Sequence, residues 1–325
     1  MHNAIQEIFT PVAEEIAKFK AFFRENLISK EPLLSDVTSY LSKGEGKQIR
    51  PLLVLLSAKM HGEVNHSTYI AATSIEMVHT ATLIHDDIVD NSSERRGRKS
   101  VQAQWEPQVA VLAGDYLLAK ALDLAIQNSE YELLRLVTKA VKEMSEGELV
   151  QMSKAESLDT TEEEYLGIIY KKTASLLSSC ASTGTRSIIN NNDTVDIMRE
   201  VGRNIGMAFQ IRDDIFDYEA GNLTGKSAGN DIKEHKLTLP LIYALQQVDE
   251  NEKRQVLASL LSSNEHPEKV DEVISFVHRN GGIIYAEQEM KGYCNKAIEL
   301  LSQFPDNAAR SSLIKLASYT ATRKS

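Results

Sequence analysis

Leu, Ile, Val and Ala recur at three- and four-residue spacing along nearly the whole chain, and alternating apolar and polar positions are rare. That period belongs to helices with one buried face. It predicts helices over 4–27, 32–42, 47–61, 66–91, 108–127, 130–152, 161–186, 194–219, 237–248, 251–263, 268–280, 283–303 and 307–322. The span 66–91 would run ~39 Å at 1.5 Å per residue. Punctuation agrees with the breaks: Pro51, Pro107 and Pro240 suit early helical turns, and Asn190 to Asn192 form a polar gap. Glu219 to Lys236 is glycine-rich, carries no apolar stripe and reads as a loop, long enough to suggest a function. No linker separates the halves. The expectation is an all-α chain forming one domain over 1–325.

Two helical stretches carry the same acidic pattern. Asp86, Asp87 and Asp90 lie in LIHDDIVD, and Asp213, Asp214 and Asp217 lie in IRDDIFD. Positions four apart share a helix face, so Asp86 pairs with Asp90 and Asp213 with Asp217. Asp87 and Asp214 lie one step around. Apolar neighbours argue against an ordinary solvated charge run. Clustered carboxylates raise one another's pKa unless a cation lies among them. Magnesium is the expected cation, because it is hard and is commonly shared between carboxylates and phosphates. The two sets read together as a clamp for a diphosphate.

Composition narrows the class. Among 325 residues, 42% are hydrophobic, enough for a large core. A net charge of −10 argues against nucleic acid, which needs a basic face. Cys180 and Cys294 make neither a disulfide framework nor a zinc spacing, so a cytoplasmic location is expected. The first twenty residues carry acids and lack the long apolar run of a signal peptide. No stretch approaches the ~18 apolar residues of a membrane span.

The cations complete the picture. GEGKQIRP places Lys47 and Arg50 at the start of a helix, where phosphate is favoured. Arg95 and Arg96 follow the first aspartate set, and arginine grips phosphate with fixed geometry. Lys172 and Thr173 form a polar knot, and Lys226 and Lys236 flank Asp231. In one order the chain then shows GKxxRP, DDxxD followed by RRG, GDxLLA at 114–119, the KT pair 172–173, GxAFQxxDDxxD at 206–217 and GKxxGxDxxxxKxTLP at 225–240. This series resembles the head-to-tail, all-trans prenyl diphosphate synthases, the polyprenyl synthetases, across about positions 44 to 245.

The resemblance implies a helical bundle of the isoprenoid synthase type around a deep central cavity. It implies joining of an allylic diphosphate to isopentenyl diphosphate with three magnesium ions. By similarity, Asp86 and Asp90 hold two ions and Asp213 a third, supported directly or through water by Asp87, Asp214 and Asp217. Arg95, Lys172, Lys236 and Lys226 would help hold the allylic diphosphate. Lys47, Arg50, His79 and Arg96 would bind isopentenyl diphosphate, with Phe209 beside its hydrocarbon. Thr173 and Gln210 would offer oxygen dipoles to the allylic cation.

Product length should be set one turn before Asp86, at Ala81 and Thr82, and deeper at Met77, Val78 and Ser74. Short-chain members plug the first level with aromatics; here it is small. The expected product is C30–C50, centred on C40, with a floor from Leu117, Leu118, Leu122 or Ile126 as the other way to set it. A geranylgeranyl diphosphate synthase is the main alternative. A terpene cyclase would not need GKxxRP or the paired arginines, and a silent regulatory subunit would have lost aspartates. A homodimer through the apolar face of 108–127 is expected, with at most transient membrane contact for product release. The Arg323-Lys324 pair reads as a frayed tail rather than a cover for the isopentenyl site.

Overall fold

The computed structural model describes residues 2–44, 46, 48–95, 97–219 and 229–323. Helices α1 (His2–Phe9) and α2 (Ala13–Leu27) are separated by a 3₁₀ turn, Thr10–Val12. Then come α3 (Pro32–Ser42), α4 (Ile49–His61) and α5 (His66–Val89). A two-residue hairpin follows, β1 (Glu94–Arg95) and β2 (Arg98–Lys99), antiparallel with Arg95 opposite Arg98. Next are α6 (Val101–Trp105), α7 (Pro107–Gln127), α8 (Tyr131–Ser157) and α9 (Glu162–Ile169). A π turn, Tyr170–Ala174, leads into α10 (Ser175–Arg186) and α11 (Asn192–Phe216). The chain continues through α12 (Asn230–Lys233), α13 (Leu239–Gln246), α14 (Glu250–Leu261), α15 (Pro267–Arg279), α16 (Gly282–Leu301) and α17 (Ala308–Thr322).

The all-α expectation holds, with three local corrections. The helix expected over 4–27 breaks where Pro11, lacking an N–H, sits in the 3₁₀ turn. The helix expected over 161–186 contains the π turn. The hairpin, α6 and α12 were not foreseen, because elements of two to five residues leave no periodic signal.

Caps explain several boundaries. Asn65 accepts the Thr68 N–H at 3.1 Å while Thr68 Oγ1 accepts the Asn65 N–H at 3.3 Å, starting α5. Thr161 and Glu164 close the same reciprocal box at the start of α9.

The chain divides into two compact units. The first comprises 1–141, 179–199 and 306–313. In it, α4 is buried on every side from Pro51 to Ala58, as a helix apolar all round must be. Helix α5 lies along α7, and Ser74 Oγ donates to the Ala121 carbonyl at 3.1 Å. The second comprises 142–178, 200–305 and 314–325. Its core gathers Tyr165, Ile169, Ile211, Ile215, Leu239, Leu241, Val273, Phe276 and Met290 from α9, α11, α13, α15 and α16, with Tyr218 from the turn after α11. Each such side chain contributes about 1.5–3 kcal/mol on burial. Among the described residues, no helix is long and apolar enough to cross a membrane.

Candidate active site

In the first unit, the last turn of α5 carries the first aspartate set. Asp86 is half-buried and Asp90 exposed, whereas Asp87 is 3% exposed. The hairpin brings Arg95 against Asp87: its Nε donates to Oδ1 at 2.6 Å. Burial raises the Asp87 pKa, and the Arg95 guanidinium opposes that rise. Asp87 and Arg95 therefore satisfy each other. Asp86 is half-buried and Asp90 exposed, both at the negative end of a helix dipole. Their hard oxygens suit magnesium. Among the described residues, no three acidic, histidine or cysteine side chains already converge as a metal cage. A magnesium ion that keeps water and phosphate ligands does not need one.

Arg50 and His79 meet at 2.9 Å. A guanidinium only donates, so His79 Nε2 accepts and its proton lies on Nδ1. His79 also lines a cavity of about 260 Å³ beside α2, α3 and the hairpin, with Phe23, Leu83, Lys43, Arg95 and Arg98. Arg98 stacks over Tyr40 at 3.9 Å. Lys47 and Arg96, expected in the same group, lie outside the described residues. His85 instead turns to α7, 3.4 Å from the Val111 carbonyl.

The positions expected to set product length are enclosed. Met77, Val78 and Ala81 have no exposed surface, and Thr82 Oγ1 donates to the His79 carbonyl at 2.9 Å. On α7, Leu117 is buried and Ile126 is 50% exposed.

In the second unit, α11 carries Asp213 and Asp214 and Asp217 lies in the turn just past its end, and each has a different environment. Asp217 accepts the N–H groups of Asn230 and Asp231, both at 2.9 Å, and so caps α12. Asp214 is 4% exposed and accepts Tyr165 Oη at 2.6 Å and Gln210 Nε2 at 2.7 Å. Burial pushes its pKa well up, Asp231 adds to the rise, and those two hydrogen bonds oppose it. Asp231 is pushed up to about 6, by burial first and then by Asp217. Asp213 meets Arg323 Nη2 at 2.6 Å. Arg323 also donates to the Phe209 carbonyl at 3.1 Å and lies over the Phe209 ring at 3.9 Å.

This corrects the frayed-tail expectation. Arg323 is 6% exposed, held by an anion and an aromatic face. Phe209, expected beside the isopentenyl group, carries Arg323 on its ring. Lys324 and Lys226 lie outside the described residues, as does the loop segment 220–228.

The π turn supplies the remaining groups. Lys172 pairs with Glu148 at 2.7 Å, and Thr173 Oγ1 donates to Gln210 Oε1 at 2.7 Å. Lys172, Thr173, Gln210, Asp214, Asp231 and Lys236 line one cavity of about 100 Å³. Lys236 also pairs with Glu234. The turn fits because two helices approach it through glycines. A Cβ on Gly206 would lie 2.5 Å from Ala174 Cα, and one on Gly147 would lie 2.8 Å from Lys171 Cβ.

The polyprenyl synthetase family model matches residues 31–277. The chain belongs to that family. It is a prenyltransferase of the trans-prenyl diphosphate synthase kind, on an all-α isoprenoid synthase fold. It is 36% identical over 314 residues to an all-trans-nonaprenyl-diphosphate synthase (geranyl-diphosphate specific) of Rhodobacter capsulatus, covering 96% of this chain and 95% of that one. It is 35% identical over 319 residues to a geranylgeranyl diphosphate synthase of Saccharolobus solfataricus, covering 94% of each. A polyprenyl synthase from Caulobacter crescentus, solved with calcium and isoprenyl diphosphate, superposes with a TM-score of 0.91 at 28% identity, covering 99% of this chain and 98% of that one.

Three polyprenyl synthetase groups escaped assignment from sequence. Tyr165 belongs to none of the motifs. Asp231 is the aspartate of GKxxGxDxxxxKxTLP, flanked by lysines, but received no role of its own. Arg323 was set aside for its place near the end. The TxxE spacing of Thr161 and Glu164 does mark the start of α9, which fixes where Tyr165 points. Nothing in the sequence links it to Asp214, 49 positions away.

Proposed function

We propose that this prenyltransferase is an all-trans polyprenyl diphosphate synthase that joins isopentenyl diphosphate to an allylic diphosphate and stops in the C30–C50 range, centred on C40. The reaction is carried by one observation. The cavity of the second unit combines lysine charge from Lys172 and Lys236 with the oxygen dipoles of Thr173 and Gln210, beside buried carboxylates. That set suits a diphosphate leaving from a carbon that becomes cationic. Magnesium, when bound, supplies Lewis-acid charge to the leaving diphosphate. Asp86 and Asp90 would hold it in the first unit and Asp213 in the second, three ions in all. The protein's own work is electrostatic. Lys172 and Lys236 hold phosphate oxygens, while Thr173 and Gln210 present oxygens to the cation. Arg50 and His79, with Lys47 and Arg96, bind the second diphosphate, which needs no metal. No side chain is assigned as the base; the departing diphosphate takes the proton.

The long product rests on Ala81 and Thr82, neither of which can plug a channel as an aromatic would. A C20 product is the second reading. It is favoured by the complete enclosure of Met77, Val78 and Ala81, and the near-equal identity to long- and short-chain relatives does not separate the two. A homodimer through α7 and a cytoplasmic location belong to the same proposal.

The test is incubation with magnesium, farnesyl diphosphate and labelled isopentenyl diphosphate, with the dephosphorylated alcohols resolved by length. A ladder ending within C30–C50 supports the proposal, and Ala81→Phe should then move its end to C20 or shorter. A wild-type stop at C20 replaces it with the geranylgeranyl reading. No elongation removes both.

A further inference from the structure

We propose that Tyr165 is a positioning residue for prenyl transfer, acting through Asp214 to fix the oxygen dipoles of Gln210 and Thr173. This rests on the function proposed above and assigns Asp214 a task other than direct metal ligation.

Three hydrogen bonds link Tyr165 to the cavity. Tyr165 Oη donates to Asp214 Oδ2 at 2.6 Å. Gln210 Nε2 donates to Asp214 Oδ1 at 2.7 Å. Thr173 Oγ1 donates to Gln210 Oε1 at 2.7 Å. The Gln210 amide turns its NH₂ toward Asp214. Its carbonyl oxygen then faces Thr173, whose hydroxyl proton is committed to it. The Thr173 lone pairs are left pointing away from Gln210. Both residues line the cavity that holds Lys172 and Lys236.

Tyr165 holds the far end. It is 3% exposed within the apolar core of the second unit, and the capping box of α9 sets its register. Asp214 is 4% exposed, so each of its oxygens needs a donor. Removing the tyrosine hydroxyl leaves Oδ2 buried without one. The carboxylate is then no longer pinned, and the Gln210 amide loses the reason for its orientation. A dipole aimed in advance at developing charge is worth more than one that must reorient during the reaction. The cost should therefore fall on the chemical step rather than on binding.

Tyr165→Phe removes one oxygen and keeps the ring. Steady-state kinetics on the full chain should show kcat lowered about tenfold, the loss of one buried hydrogen bond expressed in the transition state. KM for both diphosphates and the magnesium half-saturation should stay within about twofold, since the chain touches neither in the ground state. Combining Tyr165→Phe with Thr173→Val should cost less than about twofold beyond Thr173→Val alone, because the two act as one unit. Costs that multiply, or a rise in KM with kcat unchanged, overturn the proposal. Asp214→Asn supplies an independent check. It should lower kcat and leave magnesium half-saturation in place, whereas Asp213→Asn should raise it. An equal rise in both would make Asp214 a metal ligand and overturn the assignment. Failure of the wild type to elongate at all would sink the prenyl-transfer reading, and this one with it, before any variant is compared.

Discussion

Asp213 and its neighbours show how much a single side chain's surroundings decide. Three carboxylates share one motif at the end of α11, yet one caps a helix, one is clamped by a tyrosine and a glutamine, and one pairs with Arg323. Only the last pairing has to be undone before Asp213 can hold a metal, because Arg323 supplies the internal positive charge that magnesium would replace. The side chain of Arg323 is 7% exposed, so the pair is screened little by solvent on that side. Arg323→Gln should therefore lower the magnesium half-saturation about fivefold, the equivalent of ~1 kcal/mol of displaced hydrogen bonding. Titrating magnesium against initial rate checks this. An unchanged or higher half-saturation would show that Arg323 does not compete at Asp213.

At the scale of elements, the π turn Tyr170–Ala174 is the feature that sequence periodicity hid. Its residues continue the apolar spacing of 161–186, so a single helix was the natural expectation. The extra residue in the turn is visible only in the backbone, and such turns recur at functional sites. Here it presents Lys172 and Thr173 while α11 closes on it through Gly206. Replacing that glycine sets two effects against each other. Alanine gains about 1 kcal/mol of helix propensity. Its Cβ, however, would meet Ala174 Cα at 2.5 Å, and backbone cannot swing aside as a flexible side chain can. Overpacking of this kind costs about 1–3 kcal/mol, so Gly206→Ala should destabilise the protein and lower kcat together by shifting Thr173. The control is Gly167 in α9, where a Cβ would find nothing within 4 Å. Gly167→Ala should raise the melting temperature and leave the rate alone. Thermal denaturation and kcat for both variants decide it; a stable, fully active Gly206→Ala would mean the close approach does not shape the turn.

For the whole molecule, what could be read from the chain depended on whether the signal was periodic. Long helices such as α3, α5 and α7 came within about two residues at their ends, because burial repeats every turn. The aspartates and the KT pair were legible as spacing. What escaped was contact across distance in sequence: Tyr165 on Asp214, Arg95 on Asp87, Arg323 on Asp213. Helix α7 offers the remaining test, since its burial pattern leaves part of one face open. Val111, Leu112 and Ile126 are 41%, 68% and 50% exposed on that face, with Ala119 also exposed between them. Large apolar side chains grouped on one exposed helix face mark an association surface, and the proposed homodimer would cover them. Light scattering on the wild type should then give twice the chain mass of 36.2 kDa. Leu112→Asp should shift it to the monomer at micromolar concentration. An aspartate buried in an apolar contact forfeits the leucine's ~2 kcal/mol and adds an unpaired charge, together raising the dissociation constant at least about a hundredfold. Because Leu112 lies away from the buried α5-facing side of α7, the variant should stay folded by circular dichroism. A dimer that persists in Leu112→Asp, or a wild type that is already monomeric, would mean this face is not where two copies meet.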